Sequence, residues 1–219
     1  MPRAEILDVG SGPVQRVRLD VRDEFDFAAG QYTAVIHPNG TSIPFSIASS
    51  PHRLPHLELH FQPLPGAPEA GLMQSLLRTE THLTLAPPAG NVSLTRSDED
   101  VLFVCGGSGA AQAWCMLSWL SSQPTQPAAT MLWCVEHTDH LYLEGELRTL
   151  PFLDLHVRVD DSRDEENAGL SWLRDNAPPL KQRRTFLCGG PGFVWSAADT
   201  LEGFRLSSDV FDFFPRGSG

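Results

Sequence analysis

No stretch of this 219-residue chain approaches the roughly 18 consecutive apolar residues that a membrane-spanning helix needs. Positive charge is also scarce, with 16 Lys and Arg against 27 Asp and Glu and a net charge of −11. A surface that binds nucleic acid or an anionic membrane needs clustered positive charge, so neither is expected as a partner. Cysteine is sparse: Cys105, Cys115, Cys134 and Cys188 form no CxxC pair, which argues against a zinc ribbon or a self-contained iron–sulfur cluster. No HExxH motif occurs, His137 and His140 read as loop residues, and no metal site is expected. The opening Met1-Pro2-Arg3-Ala4-Glu5 has no apolar run after its arginine and does not read as a secretory signal. Thiols beside apolar runs are expected to be buried and reduced, in a cytoplasmic protein.

Glycine and proline are well represented, at 18 each, and they punctuate two halves of different grammar. In the first, Val17, Leu19 and Val21 alternate, as do Leu57, Leu59 and Phe61, and then Leu83 and Leu85; residues 32–37 form another apolar run. Pro38-Asn39-Gly40, Pro63-Leu64-Pro65-Gly66 and Pro87-Pro88-Ala89-Gly90 supply turn chemistry between them. Short strands at this spacing predict an antiparallel sandwich or barrel, interrupted by one helix over about 69–77. The second half begins near Ser97-Asp98-Glu99-Asp100. Its apolar runs at 101–105, 130–135, 155–159 and 185–188 alternate poorly, as strands buried on both faces of a parallel sheet do. Helical patterns at 110–120, 144–150, 170–176 and 193–201 separate them, giving the βαβ grammar of a nucleotide-binding sheet. Two domains are therefore expected, 1–97 and 98–219. The charged stretch at 163–167 reads as a solvated loop, and the end at 217–219 as a flexible tail.

Three segments carry candidate chemistry. Val104-Cys105-Gly106-Gly107-Ser108-Gly109-Ala110 ends a strand, turns on glycine and opens a helix, which lets backbone N–H groups and a helix dipole meet a phosphate. The full GxGxxG pattern is absent, because Gln112 stands in the third glycine's place, and a tight turn without a ligand is the competing reading. Phe186-Leu187-Cys188-Gly189-Gly190-Pro191-Gly192 repeats the arrangement at the last predicted strand. Two such elbows at the C-terminal ends of parallel strands point at one crevice, where open α/β sheets bind ligands. The third segment, Ile43-Pro44-Phe45-Ser46-Ile47-Ala48-Ser49-Ser50, follows Gly30-Gln31-Tyr32. It fits either hydroxyls lining a flat aromatic ligand or an ordinary strand with hydroxyls facing solvent.

In order along the chain, these segments resemble the ferredoxin–NADP reductase superfamily, and within it the NAD(P)H:flavin oxidoreductases. Ala29-Gly30-Gln31-Tyr32 is similar to the family's PGQY, and Pro44-Phe45-Ser46-Ile47-Ala48-Ser49 to its RPFSxAS. Pro88-Ala89-Gly90-Asn91-Val92-Ser93-Leu94 is similar to PxGxxxL, and Gly106-Gly107-Ser108-Gly109 to GGTG. Cys188-Gly189-Gly190-Pro191-Gly192 is similar to CGPPG, and Leu206-Ser207-Ser208-Asp209-Val210-Phe211 to FxDxF. The resemblance implies a six-stranded antiparallel β-barrel for flavin (FAD, FMN or riboflavin), followed by an α/β parallel-sheet domain for NADH or NADPH. It places Tyr32, Pro44, Phe45, Ser46, Ile47, Ala48 and Ser49 at the flavin, with Ser46 at its reactive nitrogen edge, and Gly71 in the segment for its phosphate. It places Gly106, Gly107, Ser108 and Gly109 with Gly189, Gly190 and Pro191 at the nucleotide, and Cys188 beside the nicotinamide. Phe211 edges the flavin in this picture, or simply packs the last strand; Cys188 is alternatively a small buried residue. Hydride transfer needs alignment more than acid–base help, so the lack of a His/Asp pair does not count against it.

Two departures matter. The family's flavin segment begins with Arg where this chain has Ile43, and its second phosphate segment has a hydroxyl three residues after a glycine, where Gly71-Leu72-Met73-Gln74 delays Ser75 by one place. Losing one charge-assisted bond costs about one to two decades in affinity, unless His52 or Arg53 compensates. Flavin is then held loosely. After the second parallel strand, Trp133-Cys134-Val135-Glu136-His137 resembles WGGRE with Glu136 in place of the arginine. A carboxylate accepts from ribose hydroxyls and repels a 2′-phosphate, favouring NADH; the alternative is a solvated loop carboxylate. The expected function is NAD(P)H-dependent flavin reduction for a flavin-using partner enzyme. The alternatives are a reductase subunit that holds FAD and passes electrons to an iron–sulfur or haem partner, and a redox-inactive nucleotide-binding regulatory subunit.

Overall fold

The structure, a computed structural model, describes residues 1–160 and 168–216. The charged stretch at 163–167 and the end at 217–219 lie outside the described residues. The chain divides into two compact units, Met1–Thr95 with Trp114–Trp119, and Arg96–Ala113 with Leu120–Gly219.

The first unit contains β1 (Arg3–Val9), β2 (Gln15–Val21), β3 (Tyr32–Ile36), β4 (Ser42–Ser46), β5 (His56–Phe61), α1 (Pro68–Thr79) and β6 (His82–Leu85). They form one antiparallel six-stranded sheet in the order β4-β3-β6-β1-β2-β5. The sheet curls until its two edge strands meet, through the Ile47–Leu59 bridge and the Ala48 N–H bonded to the Glu58 carbonyl at 2.8 Å. The alternating residues line its interior: Val17, Leu19, Val21, Leu57, Leu59, Phe61, Leu83 and Leu85 pack with Met73 and Leu76 of α1. Each such side chain contributes roughly 1.5–3 kcal/mol on leaving water. Gly40, at φ +92°, closes the β3–β4 hairpin in a left-handed conformation that glycine adopts without strain. Strand β1 escapes the sequence pattern. A bulge between Ile6 and Asp8 breaks its alternation, and Ala4 is its one fully buried side chain.

The second unit contains β7 (Val101–Gly106), α2 (Ala110–Ser121), β8 (Ala129–Val135), α3 (Glu144–Leu147), β9 (Leu153–Val159), α4 (Ala168–Asn176), β10 (Arg184–Cys188), α5 (Pro191–Thr200), β11 (Arg205–Ser207) and α6 (Val210–Phe213). Residues Trp114–Trp119 of α2 group with the first unit. The five strands run parallel in the order β11-β10-β7-β8-β9. Leu102, Val104, Leu132 and Leu187 face Trp172, Leu173, Val194 and Ala197 of α4 and α5. On the opposite face of the strands, Phe103 and Phe186 stack at 5.4 Å between ring centroids. Every residue of β8 is buried, as the unbroken apolar run requires. Strand β9 differs: no residue in it is fully buried, because it is the sheet's edge. Strand β11 has three residues and no apolar run, which is why pattern alone does not reveal it. No helix among the described residues is long and apolar enough to cross a membrane.

Candidate functional site

In the second unit the chain runs outward from β7 to β8 and β9, then returns to lay β10 and β11 on the other side. The switch point of the sheet therefore lies between β7 and β10, whose last aligned pair is Cys105 and Cys188. Both glycine elbows leave from there, and they pack against each other. A Cβ on Gly109 would lie 2.6 Å from the Cys188 carbonyl group and the Gly189 nitrogen, and one on Gly189 would lie 3.1 Å from the Gly106 oxygen. The ring of Phe193 occupies the space beside Gly106, at 2.8 Å from a Cβ built there. These three glycines are thus required by the close approach of backbone to backbone and ring. Gly190 and Gly192 differ, because among the described residues nothing beyond their own stretch of chain stands within 4 Å of an added Cβ at either. They open the ten-residue helix α5, whose N-cap makes no side-chain hydrogen bond. Pro191 and Gly190 are exposed, and Gly107 and Ser108 are half-buried.

Cys188 packs inside the sheet at 2% exposure, next to fully buried Cys105. Burial, and then the neighbouring Cys188 thiol, pushes the Cys105 thiol well up. The side chain of Cys188 therefore sits among core atoms, and Gly189 and Gly190 form the surface at the end of β10. All four cysteines are free thiols. Glu136 is exposed immediately beyond β8. His137 and His140 stand ring to ring at 5.3 Å, and no group of three His, Cys, Asp or Glu among the described residues is placed to hold a metal.

Gln112 does more than displace a glycine. It is buried, and its Nε2 donates to Asp209 Oδ2 at 2.7 Å. Burial pushes the Asp209 carboxyl up to about 6, against the downward pull of the Gln112 bond. Phe211 rests on Trp195 at 4.9 Å between centroids, and the Trp195 indole donates to the Phe214 carbonyl at 3.0 Å.

In the first unit, β3 and β4 pair Tyr32 with Ser46. Tyr32 and Ser46 are half-buried and Pro44 is exposed. The residues between alternate inward. Ile43, Phe45 and Ile47 belong to the barrel core, with Phe45 edge-on to Phe61, and Ala48 is fully buried. The side chains expected at the flavin from Phe45, Ile47 and Ala48 therefore pack in the interior, as the pleat dictates once Pro44 and Ser46 face out. Position 43 is a core position in this chain, which accounts for an isoleucine there. Ser49 is fixed on both sides: its Oγ accepts from the Glu58 N–H at 3.0 Å, and its carbonyl accepts from the Cys115 thiol. Ser50 Oγ is buried and makes no hydrogen bond among the described residues. Gly71 is exposed in the first turn of α1 with open space beside it. Ser75, four residues on, shares its helix face, so the one-place delay keeps the hydroxyl near the glycine.

Sequence reasoning missed the charged cluster that holds this segment. Glu58 accepts from Arg16 Nε at 2.9 Å and pairs with His60 Nε2 at 2.7 Å, and the His60 side chain is completely buried. The signal available was the polar alternation Glu58-Leu59-His60 within β5. Likewise His52, His56 and His60 recur every fourth residue, a spacing that gathers ligands on a helix, but here they fall on a turn and a strand.

No protein-family model matches the chain. It is 28% identical over 228 residues to the reductase component 1 of terephthalate 1,2-dioxygenase from Comamonas sp, covering 93% of this chain and 65% of that protein. It is 30% identical over 148 residues to the NAD(P)H-flavin reductase of Aliivibrio fischeri, covering 65% of this chain and 63% of that one. The chain thus spans just under two thirds of the length of these relatives. Among solved structures, ferredoxin-NADP+ reductase from Plasmodium falciparum superposes with a TM-score of 0.77 at 16% identity, over 94% of this chain and 95% of that one. The chain has the two-domain fold of the ferredoxin–NADP reductases, and its relatives are ferredoxin-reductase-type and NAD(P)H-flavin reductases.

Proposed function

We propose that the protein reduces flavin at the expense of a nicotinamide nucleotide, with NADH preferred, and that flavin comes and goes as a substrate. The observation that carries this reading is the meeting of two glycine elbows at the switch point between β7 and β10. The residues there fit a pyrophosphate. Gly190 and Gly192 leave room at the start of α5, whose N–H groups and dipole favour an anion. Gly107, Ser108 and Gly109 present the opposite elbow, and exposed Glu136 beyond β8 accepts from ribose hydroxyls. In the first unit, Tyr32, Pro44 and Ser46 offer the accessible surface for a flat ring. With Ile43 in the core, that segment offers no arginine to a flavin phosphate, which favours loose binding. The chemistry is a hydride transfer from NADH that, with one proton from water, yields NAD+ and reduced flavin. The reduced flavin serves a separate flavin-using enzyme, in a cytoplasmic setting that suits four free thiols.

A second reading has support in the reductase component that matches along 93% of the chain: FAD stays bound and electrons pass to a partner protein. NADH oxidation by exhaustively dialysed protein, titrated with riboflavin, FMN and FAD, separates the two. Colourless protein whose rate saturates with added flavin is the expected result. Yellow protein fully active with a one-electron acceptor and no added flavin would establish the second reading. No turnover with any flavin would leave a nucleotide-binding regulatory subunit.

A further inference from the structure

We infer that Trp133 is the positioning residue that aims the backbone of the nucleotide elbow, an inference that rests on the elbow's binding the nicotinamide nucleotide. Trp133 is completely buried in β8, aligned with Cys105 of β7. Its indole Nε1 donates to the Gly107 carbonyl at 2.9 Å. The Ala110 N–H, at the head of α2, bonds to the same carbonyl. Both acceptor sites of that oxygen are thereby engaged, and Gly107 holds φ +54°, a left-handed conformation that suits glycine. In a planar trans peptide the carbonyl and the next N–H point in opposite directions. Drawing the Gly107 oxygen onto the indole therefore turns the Ser108 N–H away from Trp133. The indole itself is braced: Tyr142 stands edge-on at 5.7 Å and 83°. Phenylalanine would remove the donor but also leave a void, so only a bicyclic replacement without the N–H isolates the hydrogen bond that orients the turn.

The test uses the whole protein with Trp133→Phe, and separately with Trp133 replaced by β-(3-benzothienyl)alanine, which keeps the bicyclic shape and removes only the N–H. Both should raise KM for NADH and the Kd for ADP-ribose about tenfold, with kcat at saturating NADH and KM for flavin within twofold of wild type. NADH and ADP-ribose affinities unchanged in the benzothienyl protein would overturn the inference. So would a parallel rise in the flavin KM with a lowered melting temperature in the benzothienyl protein, the mark of a purely structural role. Wild-type protein that fails to bind ADP-ribose would instead overturn the nucleotide reading beneath it.

Discussion

Glu58 sits on β5 with its carboxylate between Arg16 and buried His60. Burial alone pushes this carboxyl up, but bonds and charge from His60, and then Arg16, outweigh it and hold the group at about 2. A carboxylate lowered in the folded state adds stability above its unfolded value, and that stability is lost as pH falls through the folded one. The window runs from the ordinary 4.5 down to about 2. We expect Glu58→Gln to cost about 3 kcal/mol at pH 7, and denaturant melts should show the difference from wild type shrinking steadily below pH 4.5. A constant difference from pH 7 to pH 2 would refute the ionic account. The alternation along β5 puts Glu58 and His60 on one face, but it does not reveal Arg16, which comes from a strand 42 residues away.

At the scale of elements, glycines of like appearance divide by what surrounds them. Gly109 abuts the Cys188 and Gly189 backbone, whereas Gly192 faces open space inside α5. Gly109→Ala forces backbone apart and should destabilise by about 3 kcal/mol. Gly192→Ala favours the helix by up to about 1 kcal/mol; melting temperature should rise while KM for NADH rises severalfold, since the methyl occupies the proposed phosphate approach. An unchanged KM in the Gly192 variant would move the nucleotide away from α5. The two elbows and the four long apolar runs were legible as elements, because periodicity and glycine punctuation are local. That the elbows touch was an inference from parallel-sheet topology, and which glycines serve packing could only be decided by their neighbours. Strand β9 shows the same limit: its run reads as buried, and its place at the sheet edge leaves it half-exposed.

The whole molecule carries a net charge of −11, and NADH is itself an anion. Long-range repulsion between them is screened by salt. Raising ionic strength from about 10 to about 200 mM should therefore increase kcat/KM for NADH roughly twofold, mainly through KM. A steep fall instead would mean that local positive charge around the elbows dominates the field.

The sequence by itself determined the two grammars, one of alternating strands and one of strand–helix repeats. These follow from the hydrophobic periodicity of each segment and need no distant partner. It also determined the order of the glycine and hydroxyl segments on which the family resemblance rests. Only the tertiary structure decided which side of each strand faces inward, and so placed Ile43, Phe45 and Ile47 in a core while leaving Pro44 outside. It alone brought Gln112 to Asp209 and Trp133 to Gly107. These pairs lie 97 and 26 residues apart. Hydrogen bonds of this kind depend on where the fold delivers a donor to an acceptor, and local propensity carries no record of that.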